Sequence, residues 1–286
     1  MKECGVDGAE HTIGIVGVGL IGGSIAVALR DRGFEGRLVG VSRAPERLAR
    51  QANADALNHI SGHLSEAVAE CSLLIFCTPV DAIIPGVRSI AQQIQPGTLL
   101  TDVGSAKAAI CNALTSVVPP SAAFVGSHPL AGSEKQGIQH ARPDLFHDRC
   151  CVITPTSATP TDQHKRLAAF WQSLGAQVVS MTPEDHDVVL AKTSHVPHVA
   201  AAALASQLDT AHFPLAATGF RDTTRIAAGD PEIWTAILEQ NATATIECLD
   251  RYLTCLGEFR EAIATEDVSR LKILLEAAKR NRDALD

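Results

Sequence analysis

Thr12-Ile-Gly-Ile-Val-Gly-Val-Gly-Leu-Ile-Gly-Gly-Ser-Ile-Ala-Val-Ala-Leu29 is the stretch on which the fold turns. A β-branched apolar run enters a turn that holds Gly17, Gly19 and Gly22 in the spacing G-x-G-x-x-G, and an apolar helical pattern follows. A lone match to that spacing carries little weight. Between a strand and a helix, and inside a strand–helix–strand unit, it marks a dinucleotide-binding turn. Gly17 permits the tight turn, Gly19 lets a pyrophosphate approach the backbone, and Gly22 lets helix and strand pack closely. The helix amino terminus, around Leu20 and Ile21, offers free N–H groups and the positive end of the helix dipole.

Downstream, short apolar runs predict strands over 37–41, 72–77, 98–102, 123–126, 150–154 and 177–181, after the first at 12–16. Helical patterns over 22–32, 44–54, 80–93, 107–116 and 162–174 lie between them. Strand and helix in alternation predict an α/β fold with a Rossmann-type, mostly parallel sheet covered on both faces. From Pro183 onward no convincing strand pattern occurs, and long helical patterns over 184–207, 231–257 and 265–283 take over. We therefore expect a dinucleotide-binding domain over residues 10–182 and an all-helical dimerisation domain over 183–286.

Ligands of open parallel sheets bind outside the carboxyl ends of the strands. The second predicted strand ends at Ser42-Arg43, where an Asp or Glu would hold the ribose 2′-hydroxyl of NAD. A small hydroxyl followed by a guanidinium suits a 2′-phosphate instead, so NADP is expected, with NAD the alternative. Thr78-Pro79 and Asp102-Val-Gly-Ser-Ala-Lys107 end two further strands on this edge. Ser105 and Lys107 read either as turn and cap residues or as groups beside the nicotinamide.

The net charge of −8 argues against nucleic acid or an anionic membrane as a general partner. No apolar run reaches the roughly 18 residues that span a bilayer. The eight cysteines contain no C-x-x-C pair, which favours free thiols and a reduced, cytoplasmic setting over a metal or disulfide framework. Gly126-Ser-His-Pro-Leu-Ala-Gly-Ser-Glu-Lys-Gln-Gly137 places His128 between glycines and beside a proline. This pattern predicts a loop-tip imidazole at a strand end, where a redox enzyme would keep its proton-handling group.

Taken together, the glycine turn, D-V-G-S-A-K (102–107), H-P-L-A-G-S-E-K-Q-G (128–137), S-H-V-P-H (194–198) and G-F-R-D-T-T-R-I-A (219–227) resemble the prephenate/arogenate dehydrogenase family of tyrosine biosynthesis. The likeness runs through nearly the whole chain in the same order. It implies oxidative decarboxylation of a cyclohexadienol dicarboxylate, with hydride passed to a nicotinamide, in a homodimer built through the carboxyl-terminal helices. By resemblance, His128 accepts the hydroxyl proton, and the catalytic Ser105, near His128 and the nicotinamide, partners the same hydroxyl. Arg225 clamps a substrate carboxylate, His198 contacts the substrate, and His195 lies nearby. Glu134 pairs across the pocket or is an exposed loop charge, and Trp234 lines the site or the core. His195 and His198 sit three apart without a recognisable third ligand, so no metal is expected. Gln139, neutral where an arogenate ammonium would want an acid, leans towards prephenate. Two other readings are a β-hydroxyacid or 6-phosphogluconate-type dehydrogenase and a non-catalytic dinucleotide-sensing dimer. The former needs a helical Lys with Asn four residues before it, and Lys192 has Val188 there.

Overall fold

The computed structural model describes residues 11–132 and 135–285. Its order is β1 (Thr12–Val16), α1 (Leu20–Asp31), β2 (Arg37–Val41), α2 (Pro45–Ala49), β3 (His59–Ser61), α3 (Leu64–Val68), β4 (Leu73–Phe76) and α4 (Val80–Ile90). Then come β5 (Leu99–Asp102), α5 (Ala108–Thr115), β6 (Ala123–Phe124), β7 (Gly126–Pro129), β8 (Cys150–Thr154), α6 (Thr161–Ser173) and β9 (Gln177–Ser180). The helical region holds α7 (Pro183–Leu190), α8 (Val196–Ser206), α9 (Thr218–Thr224), α10 (Pro231–Gln240), α11 (Ala242–Ala264) and α12 (Val268–Asp283).

Six strands form one sheet in the order β3-β2-β1-β4-β5-β6, every pair parallel. The strands carry apolar side chains on both faces, as a sheet sandwiched by helices requires. Ile13, Ile15, Leu73 and Ile75 pack with Ile25 and Leu29 of α1 and Trp171 of α6. Val16, Leu74, Phe76 and Leu100 pack with Val87 of α4 and Ile110 and Leu114 of α5 on the other side. Strand order reverses between β1 and β4, which opens a crevice at their carboxyl ends.

The parallel sheet is as the sequence predicts, but the strand expected over 123–126 divides. Val125 still donates to Leu100 of the first sheet, whereas Gly126 pairs with Thr154 in a second one. That sheet has three strands, β7-β8-β9, with β7 antiparallel to β8 and β8 parallel to β9. His128 consequently lies within a strand, paired with Val152 and 8% exposed, and not at a loop tip. Backbone pairing holds it more tightly than a turn would.

Two expected long helices are interrupted. Between α7 and α8 a π-helical turn spans Ala191–His195, and Asn241 breaks the 231–257 pattern between α10 and α11 with φ −116° and ψ 35°. Such π turns shift the register of the following residues and often occur at functional sites. Within the rod Pro183–Ser206 an 18-residue window reaches a mean hydropathy of 1.2, enough by length and composition to cross a membrane. It also buries His186, Asp187, His195 and His198, and α7 packs on α5, so it serves here as a helix of the fold.

Candidate active site

The glycine turn is shaped by contacts that side chains would break. Gly17 has φ +89°, and a Cβ there would sit 2.8 Å from the Cys77 carbonyl oxygen at the end of β4. A Cβ on Gly22 would sit 2.5 Å from the Gly17 carbonyl oxygen. Around Gly19, in contrast, a Cβ would meet nothing within 4 Å. Gly19 precedes α1, whose first N–H groups lack helical partners, so the open face at Gly19 is a cradle for an anion. Leu20 and Ile21 lie half-buried in the first turn of α1.

Across the crevice, the Thr78 Oγ1 is buried without a hydrogen-bond partner. Buried hydroxyls are normally paired, so an orphan at the strand edge of a dinucleotide cradle points to a ligand. These two observations fit a dinucleotide. Pro79 is exposed just before α4. Ser42, half-buried at the end of β2, accepts the Ala44 N–H at 3.2 Å and also donates its own N–H to Ser61. Arg43 beside it is exposed and makes no side-chain hydrogen bond or ion pair with a described residue. Ser105 is half-buried in the turn after β5.

Lys107, by contrast, is not free for a ligand. It is wholly buried and pairs with the buried Asp102, while also donating to the Ser127 carbonyl at 3.1 Å. Asp102 in turn accepts the N–H of Gly104 at 2.9 Å and of Ser127 at 3.3 Å. This pair welds the two sheets together just below His128.

Helix α7, the π turn and α8 bring His186, His195 and His198 to the junction where β7 holds His128. His128 Nδ1 lies 2.9 Å from His186 Nε2, and His186 Nδ1 lies 2.8 Å from Asp187 Oδ1. Asp187 also accepts the backbone N–H groups of Lys107 (2.8 Å) and Ala108 (2.9 Å), anchoring the start of α5. Asn241 donates to the Asp187 carbonyl at 2.8 Å and to His195 Nδ1 at 3.0 Å, which leaves the proton of His195 on Nε2. That Nε2 is buried and unpartnered, as is His198 Nδ1. The π turn is what brings His195 onto Asn241 while His198 lies against Trp234, their ring centres 3.5 Å apart and their planes 10° from parallel.

Burial keeps these imidazoles neutral. His128 is held well below its ordinary pKa by loss of solvation, reinforced by His186, Lys107 and His195. The same desolvation lowers His186, with Asp187 opposing it. It pushes His195 down to about 4 and lowers His198. The thiols nearby are poor nucleophiles, because burial raises Cys77, Cys111 and Cys151.

Arg225 is exposed at the turn that follows α9 and forms no ion pair with a described carboxylate. Asp230 instead caps α10 and accepts Gln136 at 2.9 Å. Arg221 donates to the Ala216 carbonyl at 2.9 Å and braces its loop. Glu134 lies outside the described residues. Lys192 is exposed, and no group of three or more metal-ligating side chains occurs among the described residues. His186, Asp187 and Asn241 belong to no motif in the sequence and join the site only through the fold. The spacing Asp187, Ala191, His195, His198 falls on one helical face and was the signal available for part of this set.

A glycine cradle at the switch point of a parallel sheet, together with a neutral buried histidine that meets a helical region, defines a two-domain dinucleotide-dependent dehydrogenase. The comparisons specify it further. The chain matches the prephenate dehydrogenase nucleotide-binding domain over residues 25–180 and the prephenate dehydrogenase dimerization domain over 182–277. It is 33% identical to the prephenate dehydrogenase of Bacillus subtilis over 96% of this chain and 76% of that protein. The fold superposes on the A. aeolicus prephenate dehydrogenase solved with hydroxyphenyl propionate and NAD+, with TM-score 0.89, 28% identity, and 96% and 98% coverage of the two chains. It superposes on Synechocystis arogenate dehydrogenase with TM-score 0.83 and 32% identity, covering 96% of this chain and all of the other. The chain belongs to the prephenate/arogenate dehydrogenase family.

Proposed function

We propose that the protein oxidatively decarboxylates prephenate, or its amino counterpart arogenate, to the corresponding 4-hydroxyphenyl product of tyrosine biosynthesis. The observation that carries this reading is His128. It is a buried, neutral imidazole on β7 that meets His186 of the helical region at 2.9 Å. When bound, a nicotinamide dinucleotide supplies the hydride acceptor. The chain's own residues do the rest. Gly17, Gly19 and the start of α1 hold the pyrophosphate, and Thr78 and Ser105 face the nicotinamide end. His128 takes the hydroxyl proton as the C–H bond breaks, and the electrons freed by loss of carbon dioxide make the ring aromatic. Arg225 offers a two-pronged donor to a substrate carboxylate. His198, stacked on Trp234, and the free Nε2–H of His195 contact the rest of the substrate.

Ser42 and the unpaired Arg43 favour NADP over NAD. Prephenate is favoured over arogenate, since Gln139 is neutral and engaged with the Gln136 carbonyl at 3.2 Å. Exposed apolar residues on the last two helices, among them Leu253, Leu256, Ile263, Ile273 and Leu275, support a homodimer through this region. Free cysteines throughout the described chain suit a cytoplasmic setting. The test is reduced-nicotinamide absorbance with prephenate or arogenate, each with NAD or NADP. Turnover is expected, fastest with prephenate and NADP. No turnover in any mixture would overturn the reading.

A further inference from the structure

The hydrogen bonds around His128 form a directed chain that begins on the helical region. Asp187 acts only as an acceptor: its two oxygens take the N–H groups of Lys107 and Ala108 at the start of α5. The 2.8 Å contact with His186 Nδ1 therefore requires a proton on that nitrogen. Neutral His186 then presents a lone pair at Nε2. The 2.9 Å contact from His128 Nδ1 requires that His128 be the donor. A neutral histidine has one ring proton, so His128 Nε2 is left with a lone pair.

We infer that His186 and Asp187 are positioning residues that fix His128 as its Nδ1–H tautomer, so that Nε2 is the atom that receives the substrate proton. The inference rests on the proposed dehydrogenase reading and adds the relay that orients its base. In the step itself, the substrate O–H bond breaks and an N–H bond forms at Nε2. The resulting imidazolium keeps Nδ1–H on His186, whose own Nδ1–H stays on the Asp187 carboxylate. The new positive charge thus faces a chain of aligned dipoles that ends in a negative group. All three residues are buried, so bulk water does not compete for these bonds. The relay also crosses from α7 to β7, so the base is properly set only when the helical region is docked on the sheets.

The direct test is nitrogen NMR of the full chain labelled at histidine, with His128 assigned by the signals lost in His128→Asn. The expected pattern is a protonated Nδ1 and a bare Nε2 for His128, and the same for His186. A proton on His128 Nε2 would overturn the inference, whatever the activity. The second measurement is His186→Phe, which keeps a ring in place but removes the acceptor. Its kcat should fall about a hundredfold, with KM for the substrate within about threefold, and its His128 should lose the Nδ1–H signature. A variant with full kcat would also overturn the relay, while leaving His128 as the base. Absence of turnover in the unmodified protein would instead strike the reading of function and leave the NMR result to judge the tautomer.

Discussion

The imidazole of His198 lies flat on the indole of Trp234, 3.5 Å between ring centres, and Gly229 sits over the edge of the pair. A Cβ on Gly229 would come within 2.4 Å of Trp234 Nε1 and 3.2 Å of His198 Cε1. Gly229 has φ −61°, so alanine there suffers no backbone strain. Its only effect is to push the two rings out of place. Gly229→Ala should raise KM for the substrate about tenfold by displacing a packed pair, with cofactor affinity unchanged by titration. An unchanged KM would remove the stack from the substrate pocket.

The buried Lys107–Asp102 pair has a structural role that its place in the D-V-G-S-A-K motif conceals. Both side chains are fully buried, and Asp102 also holds Gly104 and Ser127. Lys107→Met leaves that carboxylate without its counter-charge in the interior. Denaturant unfolding should show a loss of about 3–5 kcal/mol. A loss below about 1 kcal/mol would mean that water reaches Asp102.

Stability should depend on pH through the histidine cluster. His128, His186, His195 and His198 all have pKa values lowered in the fold, chiefly by burial. At His128 the neighbouring His186, Lys107 and His195 push the same way, as do Lys107 at His186 and His186 and His198 at His195, while Asp187 opposes this at His186 and His195. Below the ordinary value of 6.5 the unfolded chain binds protons that the folded one refuses. Unfolding free energy should therefore be level above that pH and fall as pH drops towards 4, the folded value of His195. The slope should be at least about 1.4 kcal/mol per pH unit, one proton's worth. A flat profile between pH 6.5 and 4 would show that these imidazoles are solvated.

Cofactor choice can be separated from cofactor binding. Arg43→Ala should weaken NADP about tenfold, by loss of a charged contact to the 2′-phosphate, and leave NAD within about twofold. Thr78→Val removes an unpartnered buried hydroxyl, so it should leave the melting temperature of the free protein unchanged or raised and weaken both dinucleotides. Equal losses of NAD and NADP in Arg43→Ala would contradict the assignment of the 2′-phosphate.

The dinucleotide turn was legible in the sequence because its determinants are local. Gly17 needs a positive φ, Gly22 needs close packing, and both lie within one strand–turn–helix. Several other features were not, for reasons that are also physical. The apolar run through Ala123 and Phe124 continues without a break into Gly126, so nothing local marks the passage from one sheet to the other. His128 therefore read as a loop residue, although β8 pairs with it from across the chain. His186 lies 58 residues from His128, and only the docking of α7 brings them together. The π turn at Ala191–His195 moved His195 towards Asn241, whose break between α10 and α11 a helical pattern over 231–257 does not reveal. Motif likeness carries the roles proposed for His128 and Arg225, but it holds no information on what positions His128.

The central claim, that His128 takes the proton of the substrate hydroxyl, is tested most directly by His128→Asn in the mixture that supports turnover. Asparagine preserves a polar group at the site and cannot accept that proton. The account predicts a fall in kcat of about a thousandfold, with the KM for the substrate and the affinity for the dinucleotide within about threefold of the unmodified protein. A variant that retained its kcat would contradict it.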